Sequence, residues 1–298
     1  MKELKGRVAF ITGGANGIGL GIARALLKQG CKVAIADIRE DSIEIALASL
    51  NNDNAIGVKL DVSSREEFAK VADDVEAKLG PVSLVFNNAG INLFQTIEES
   101  TYDDWDWVLG VNLHGVINGV QTFVPRMVER GNGGHVVNTA SMASLLASGV
   151  PGIYNTAKFA VRGLSESLCY SLAKHDIGVS VLCPGLVDSN IYASDEVRPD
   201  DLSNRAMEVT DEMTSQLAQA HKTGMHPDEV GEKVVKAVLE NRYYIFSHPE
   251  FKDEVQEVFD EIIAEFTDED PEPIRAGFEA HRRSNYKEAR EAARNREK

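Results

Sequence analysis

The stretch from Val8 to Asp37, VAFITGGANGIGLGIARALLKQGCKVAIAD, decides the architecture. An apolar run, Val8 to Thr12, ends in glycines. An apolar-periodic segment follows from Ile18 to Gln29, and a second apolar run, Val33 to Asp37, closes on a carboxylate. Unbroken apolar runs mark strands buried on both faces, and the recurrence between them is that of an amphipathic helix. Strand, tight turn, helix and strand within about thirty residues make a βαβ unit, whose strands run parallel.

Outward from that unit the alternation continues. Helices are expected over Asp41 to Leu50, from a cap at Ser63 through Leu79, from about Thr101 toward Arg130, and from about Pro151 to Lys174. Strands are expected at Gly57 to Leu60, Leu84 to Phe86, His135 to Thr139, Val179 to Leu182 and Tyr243 to Phe246. The pattern predicts an α/β fold: a single-domain, Rossmann-type, doubly wound parallel sheet of about seven strands over residues 1–248. Such sheets bind ligands beyond the carboxyl ends of their strands.

Two regions leave the pattern. Residues 186–226 are mostly polar, with Ile191, Tyr192, Met207, Met213, Leu217 and Met225 interspersed. A loop of that length in a compact domain is usually functional or mobile, so it is the expected substrate loop. Residues 249–298 form a charged, helical C-terminal extension. Phe251, Val255, Val258, Phe259, Ile262, Ile263 and Phe266 recur there at helical spacing, which predicts a docked amphipathic helix, with a partner-binding helix as the alternative.

Composition narrows the partners. Thirty-one Lys and Arg stand against 47 Asp and Glu, a net charge of −16. That surface repels phosphate backbones and anionic lipids, so neither nucleic acid nor membrane is an expected partner, and acidic carrier proteins are disfavoured as substrate donors. Cys31, Cys169 and Cys183 are scattered without metal-ligand spacing, as in a reduced, cytoplasmic compartment, and no metal is expected. The N-terminal stretch has no apolar segment of signal-peptide length, and no run nears the roughly 18 residues of a membrane span.

The residues that carry chemistry fall at the strand ends. Gly13, Asn16, Gly17, Ile18 and Gly19 form a G-x3-G-x-G turn between strand and helix, where free N–H groups and the helix dipole favour a pyrophosphate. Alone, the turn reads equally well as plain structure. Asp37, 18 residues after Gly19, adds a carboxylate able to accept hydrogen bonds from both hydroxyls of an adenosine ribose. It would repel a 2′-phosphate by about 4 kcal/mol at 4 Å and an effective dielectric near 20, which favours NAD over NADP. Arg39 is the dissenting residue, since it could turn toward a phosphate. Tyr154 and Lys158, at i and i+4 on one helix face, can point at a common ligand. A free phenol has a pKa of about 10, and a neighbouring ammonium would favour the phenolate. Ser141, just past a strand, can hold a substrate oxygen beside Tyr154.

Taken together these motifs resemble the short-chain dehydrogenase/reductase family over about residues 4–248. Thr12 to Gly19 (TGGANGIG) looks like its nucleotide turn, and Asp61 and Val62 match its adenine-contacting segment. Asn88, Ala89 and Gly90 lie in its NNAG signature, and Ser141, Tyr154 and Lys158 match its catalytic set. Asn112 resembles the helix asparagine that holds a proton-relay water near the lysine. Pro184, Gly185, Val187 and Ser189 resemble the segment that holds the nicotinamide carboxamide, where Ser189 stands in place of the more usual Thr.

The resemblance implies NAD-dependent, reversible oxidation of a small-molecule secondary alcohol to a ketone by a homodimer or homotetramer. Tyr154 would be the acid/base, and Lys158 would also bind the nicotinamide ribose. Phe94, Met142, Leu145, Val150, Ile191 and Tyr192 are the expected pocket residues. The stretch Thr101 to Met127 and the long C-terminus resemble bacterial dehydrogenases acting on the benzylic Cα alcohol of lignin-derived aryl ethers. The alternatives are an NADPH-dependent carbonyl or 3-oxoacyl reductase, or a nucleotide-sensing protein on the same fold.

Overall fold

The computed structural model describes residues 3–206 and 210–294, which leaves Met207 outside it. Seven strands form one sheet: β1 (Val8–Thr12), β2 (Lys32–Asp37), β3 (Ala55–Lys59), β4 (Val82–Asn87), β5 (Gly134–Thr139), β6 (Ile177–Cys183) and β7 (Tyr244–Phe246). Their order is β3-β2-β1-β4-β5-β6-β7, and each neighbouring pair is parallel. The expected doubly wound sheet is therefore present. Strand order reverses between β1 and β4, the position where such folds open a crevice.

Side-chain alternation along the strands builds two cores. Ala9 and Ile11 of β1, with Val33 and Ile35 of β2, pack beneath α1 (Gly17–Lys28). Val8 and Phe10 point the other way. There Phe10 meets Phe68 of α3 (Arg65–Leu79) at 5.8 Å and Phe123 at 4.8 Å, an aromatic trio under the opposite face.

Between them in the chain lies α2 (Glu40–Leu50). The cap of α3 is Ser64 rather than Ser63, because Ser64 accepts from the Glu67 N–H while Ser63 is turned onto the Asp61 carboxylate. Thr101 caps α4 (Tyr102–Leu109) in a capping box with Asp104. The helix runs through a π-turn at Gly110–His114 into α5 (Gly115–Arg130), which contains Phe123. Next comes α6 (Gly152–Leu172).

The 186–226 region is less of a loop than its composition predicted. It holds two 3-10 turns, Ile191–Val197 and Asp200–Leu202, and the helix α7 (Asp211–His221). Arg198 anchors it. The guanidinium donates to Asp104 at 2.7 Å with both side chains essentially buried, lies 5.0 Å over the Trp107 ring, and also donates to the carbonyls of Leu202 and Asn204. Burial works to raise the Asp104 carboxyl. The Thr101 N–H, Gln95 and Arg198 outweigh it and hold the group below its usual range.

After α7, α8 (Pro227–Leu239) covers the β1 face beside α1. Beyond β7 come α9 (Lys252–Ala264) and α10 (Pro273–Arg294). The expected docking of the α9 stripe is corrected in large part. Phe251 and Val255 pack on the core, but Phe259, Ile262, Ile263 and Phe266 are exposed because α9 leaves the domain surface after its first turns. The chain returns through α10, where Tyr286 meets Tyr170 edge-on and Arg290 bonds the Tyr170 hydroxyl. Among the described residues no helix is long and apolar enough to cross a membrane.

Removing Asp104 strands a buried guanidinium, a change that costs about 3–5 kcal/mol. D104A is expected to release the 198–204 turns, read as faster amide hydrogen exchange there with sheet amides unchanged. The paired change D104L/R198M is expected to restore protection.

Candidate active site

A cleft of about 660 Å³ lies along the carboxyl edge of the sheet, across the β1/β4 reversal. Its floor is tied by a polar seam. The Thr12 hydroxyl oxygen accepts from the N–H groups of Asn88 (2.9 Å) and Ala89 (3.0 Å), and the Asn88 amide donates back to the carbonyls of Thr12 and Gly13. Thr139 donates to the Asn88 amide oxygen at 3.3 Å, and Lys158 Nζ donates to the Thr139 carbonyl at 3.0 Å.

One end of the cleft suits a dinucleotide. Gly13, Asn16, Gly17 and Ile18 line it, with Gly13 and Gly17 in the left-handed region at φ +60° and +47°. Asn16 makes no side-chain cap on α1, so the first-turn N–H groups are left for a ligand anion. Gly19 does not line the cleft. A Cβ there would stand 2.1 Å from the Gly13 carbonyl, so its role is to let the turn close. Asp37 reaches the cleft at the end of β2, where burial pushes its carboxyl up and the N–H groups of Arg39 and Ala15 oppose that. Such a carboxylate gains from ribose hydroxyl donors. Arg39 also lines this end, but it faces Glu196 at 3.5 Å. Asp61, Val62, Ala89 and Gly90 complete the wall.

At the other end Ser141, Tyr154 and Lys158 share the cleft. The loop after β5 is held against β6 by Met142 N–H donating to the Pro184 carbonyl at 2.9 Å. It presents Ser141, whose hydroxyl accepts the Ala143 N–H at 3.1 Å, donates to the Pro184 carbonyl at 3.5 Å and favours the ionised form of the Tyr154 phenol. Lys158 Nζ lies 5.3 Å from the Tyr154 ring centroid. Asn112 does not line the cleft; it sits fully buried in the π-turn, its amide paired both ways with the backbone of Ile91. It is nonetheless close, since a Cβ on Gly90 would lie 3.1 Å from its Oδ1 and 3.5 Å from Lys158 Nζ.

The electrostatics differ from the simple expectation. Burial pushes the Tyr154 phenol up, with Ser141 opposing, and the lysine does not reverse this. Burial also acts on the Lys158 ammonium and brings it down to about 8.

Of the expected pocket residues, Phe94, Met142 and Ile191 line the cleft. Three do not. Leu145 is packed in the core, Val150 is an exposed turn residue before the cis peptide to Pro151, and Tyr192 turns onto His221 at 5.4 Å. Pro184, Gly185, Val187 and Ser189 line it as expected. Composition gave no signal for Trp107, Leu146, Val197 and Leu202, or for Phe251 and Glu254 of the C-terminal extension, which the fold brings to the same wall.

The sequence profile described as short chain dehydrogenase matches residues 7–199. A C alpha-dehydrogenase of Sphingobium sp. (strain NBRC 103272 / SYK-6) is 40% identical over 94% of this chain and 93% of its own. Among solved structures, a short chain dehydrogenase/reductase from Burkholderia phymatum in complex with NAD is 35% identical. It has a TM-score of 0.84 and covers 91% of this chain and 99% of that one. A LigO apo form from Sphingobium sp. strain SYK-6 is 40% identical with a TM-score of 0.74, covering 88% and 90%.

The buried lysine has a measurable consequence in the ligand-free protein. Its folded-state value of about 8 lies below the value of 10.5 of a solvated lysine, so between these the unfolded chain binds more protons. Stability from this group is therefore lowest below pH 8 and is recovered as pH rises toward 10.5, by about 3 kcal/mol. Urea denaturation of wild type and K158M across that window should show the gain in wild type alone.

Proposed function

The chain belongs to the short-chain dehydrogenase family, and we propose that it oxidises a bulky, uncharged secondary alcohol to a ketone with NAD. The observation that carries this reading is the convergence of Ser141, Tyr154 and Lys158 on one cleft whose far end closes on Asp37. Gly13, Asn16, Gly17 and Ile18 would hold the pyrophosphate, Asp37 the adenosine ribose, and Asp61 and Val62 the adenine side. Lys158 and the Pro184–Ser189 segment would hold the nicotinamide end. When bound, NAD accepts the hydride from the carbinol carbon.

The protein handles the proton and the placement. Ser141 Oγ holds the substrate oxygen, and Tyr154 Oη takes the hydroxyl proton as the carbonyl forms. The phenol starts from the wrong side, because burial favours its neutral form. The cationic charge of Lys158, together with the positive charge of the oxidised cofactor, is what makes the phenolate accessible. Asn112 holds Ile91 and thereby the wall behind Gly90.

Asp37 favours NAD because a 2′-phosphate would meet a half-buried carboxylate, and Arg39 is drawn to Glu196 rather than left free for that phosphate. The substrate end is mainly apolar: Phe94, Trp107, Leu146, Val197, Leu202 and Phe251 face it, with Glu254 beside them. The Lys and Arg residues lining the cleft are Arg39, at the opposite end, and Lys158. Among the described residues a carboxylated or phosphorylated substrate would find no second Lys or Arg there, which disfavours a 3-oxoacyl reductase. Similarity to a protein named C alpha-dehydrogenase supports a benzylic Cα alcohol of a lignin-type aryl-ether dimer as the substrate.

Incubation with NAD and such a dimer is expected to produce NADH absorbance at 340 nm, with NADP giving a much lower kcat/KM. Silence there alongside turnover of aliphatic or steroid alcohols would overturn the substrate. Y154F is expected to lose about 10²–10⁴ in kcat while NADH binding, followed by fluorescence titration, is kept.

A further inference from the structure

The segment from Pro184 to Ser189 crosses the cleft from one functional end to the other. At its start the Pro184 carbonyl holds the Ser141 loop, and at its end Ser189 abuts the glycine turn, with its Cβ 2.9 Å from where a Gly17 Cβ would stand. Whatever lies between the phosphate turn and Tyr154 rests on this segment. Its shape therefore sets where the reactive ring of a dinucleotide sits.

A histidine from outside the described motifs holds it. His248, two residues beyond β7 and 5% exposed, accepts the Gly185 N–H on Nδ1 at 3.0 Å. The backbone N–H can only donate, so Nδ1 carries no proton and the ring proton is on Nε2. That Nε2–H donates to the Leu186 carbonyl at 2.9 Å. One neutral ring thus bonds two consecutive peptide groups of the segment, and Ser247 Oγ supports Nδ1 at 2.8 Å. Phe251, a cleft residue, packs edge-on against the ring at 6.3 Å. The fit at Gly185 is close: a Cβ there would stand 3.0 Å from His248 Cγ and 2.5 Å from Phe251 Cε2. On the other side Met225 N–H donates to the Leu186 carbonyl and Asp188 N–H to the Met225 carbonyl. His221 Nδ1 lies 3.0 Å from the Val187 carbonyl.

We infer that His248 is a positioning residue for the nicotinamide end of the cofactor: its Nε2–H tautomer clamps Gly185 and Leu186 so that the cleft floor between the phosphate turn and Tyr154 has one shape. The inference rests on the dinucleotide reading of the cleft. It goes beyond that reading in assigning the hydride geometry to a side chain that touches neither cofactor nor substrate. The His248 contacts lie at the Tyr154 end, whereas the adenosine half is bounded by Asp37 and Asp61. Loss of the clamp should therefore weaken one half of the dinucleotide and spare the other.

The experiment compares NADH with ADP-ribose, which lacks the nicotinamide, by calorimetry on the full chain. H248F removes both hydrogen bonds and keeps a ring against Phe251. It is expected to weaken NADH about tenfold, the loss of one to two net hydrogen bonds, to raise KM for NAD likewise, and to leave ADP-ribose within about twofold. H248N keeps an acceptor near Nδ1 and H248Q a donor near Nε2, so each should recover part of the loss. G185A, which forces the two rings off the segment, provides an independent variant should H248F not fold, and it should show the same selective loss. Equal weakening of NADH and ADP-ribose, or unchanged NADH affinity in these variants, would overturn the assignment. Wild-type protein that binds neither ligand would instead remove the dinucleotide reading itself.

Discussion

The cleft depends on a continuous seam of hydrogen bonds where strand order reverses across the sheet. Thr12 on β1, Asn88 after β4, Thr139 on β5 and Lys158 on α6 are linked through successive donors and acceptors. Incomplete buried polar networks are destabilising, whereas complete ones specify a single arrangement. Because this one is continuous, the distance between the glycine turn and the lysine is set by the sheet rather than by a loop. Burial of the ammonium is the cost, visible in how readily the group would give up its proton. A cation held so close to neutrality answers strongly to any charge brought into the cleft.

The sheet could be read from the sequence because its cause is local. Strands buried on both faces are mainly apolar, and VAFIT and VSVL follow that with one hydroxyl each, Thr12 bonded to the Phe86 carbonyl and Ser180 to that of Arg242. The glycine turn, Asp37 and the Tyr154–Lys158 pair were legible for a related reason: the spacing of each follows from the period of one element. The Ser63 and Ser64 ambiguity shows the limit of such reading, since both are good caps and only the Asp61 carboxylate decides between them. Pocket residues failed more often. Leu145, Val150 and Tyr192 sit near the right motifs, yet one residue of rotation along an irregular segment sends a side chain to the core, to solvent or onto a neighbour.

Residues brought in from far along the chain were not legible at all. Arg198 meets Asp104 and Trp107 across 94 and 91 positions, and nothing in DEVRPDD announces a buried guanidinium. Ion pairs of this kind add little net stability relative to apolar packing of the same volume. What they add is uniqueness, since a charged fork with its donors met by Asp104, Leu202 and Asn204 fits one arrangement of the segment. The apolar end of the cleft, bounded by Val197 and Leu202, inherits that definition.

Phe251 and Glu254 reach the cleft from beyond the last strand. The rest of the cleft is built from β1 through β6 and the elements that follow them, so its wall is completed only where the extension after β7 packs back on the domain. A change in those two side chains would therefore reshape one wall of the cleft and leave the glycine turn and the Ser141, Tyr154 and Lys158 side chains as they are.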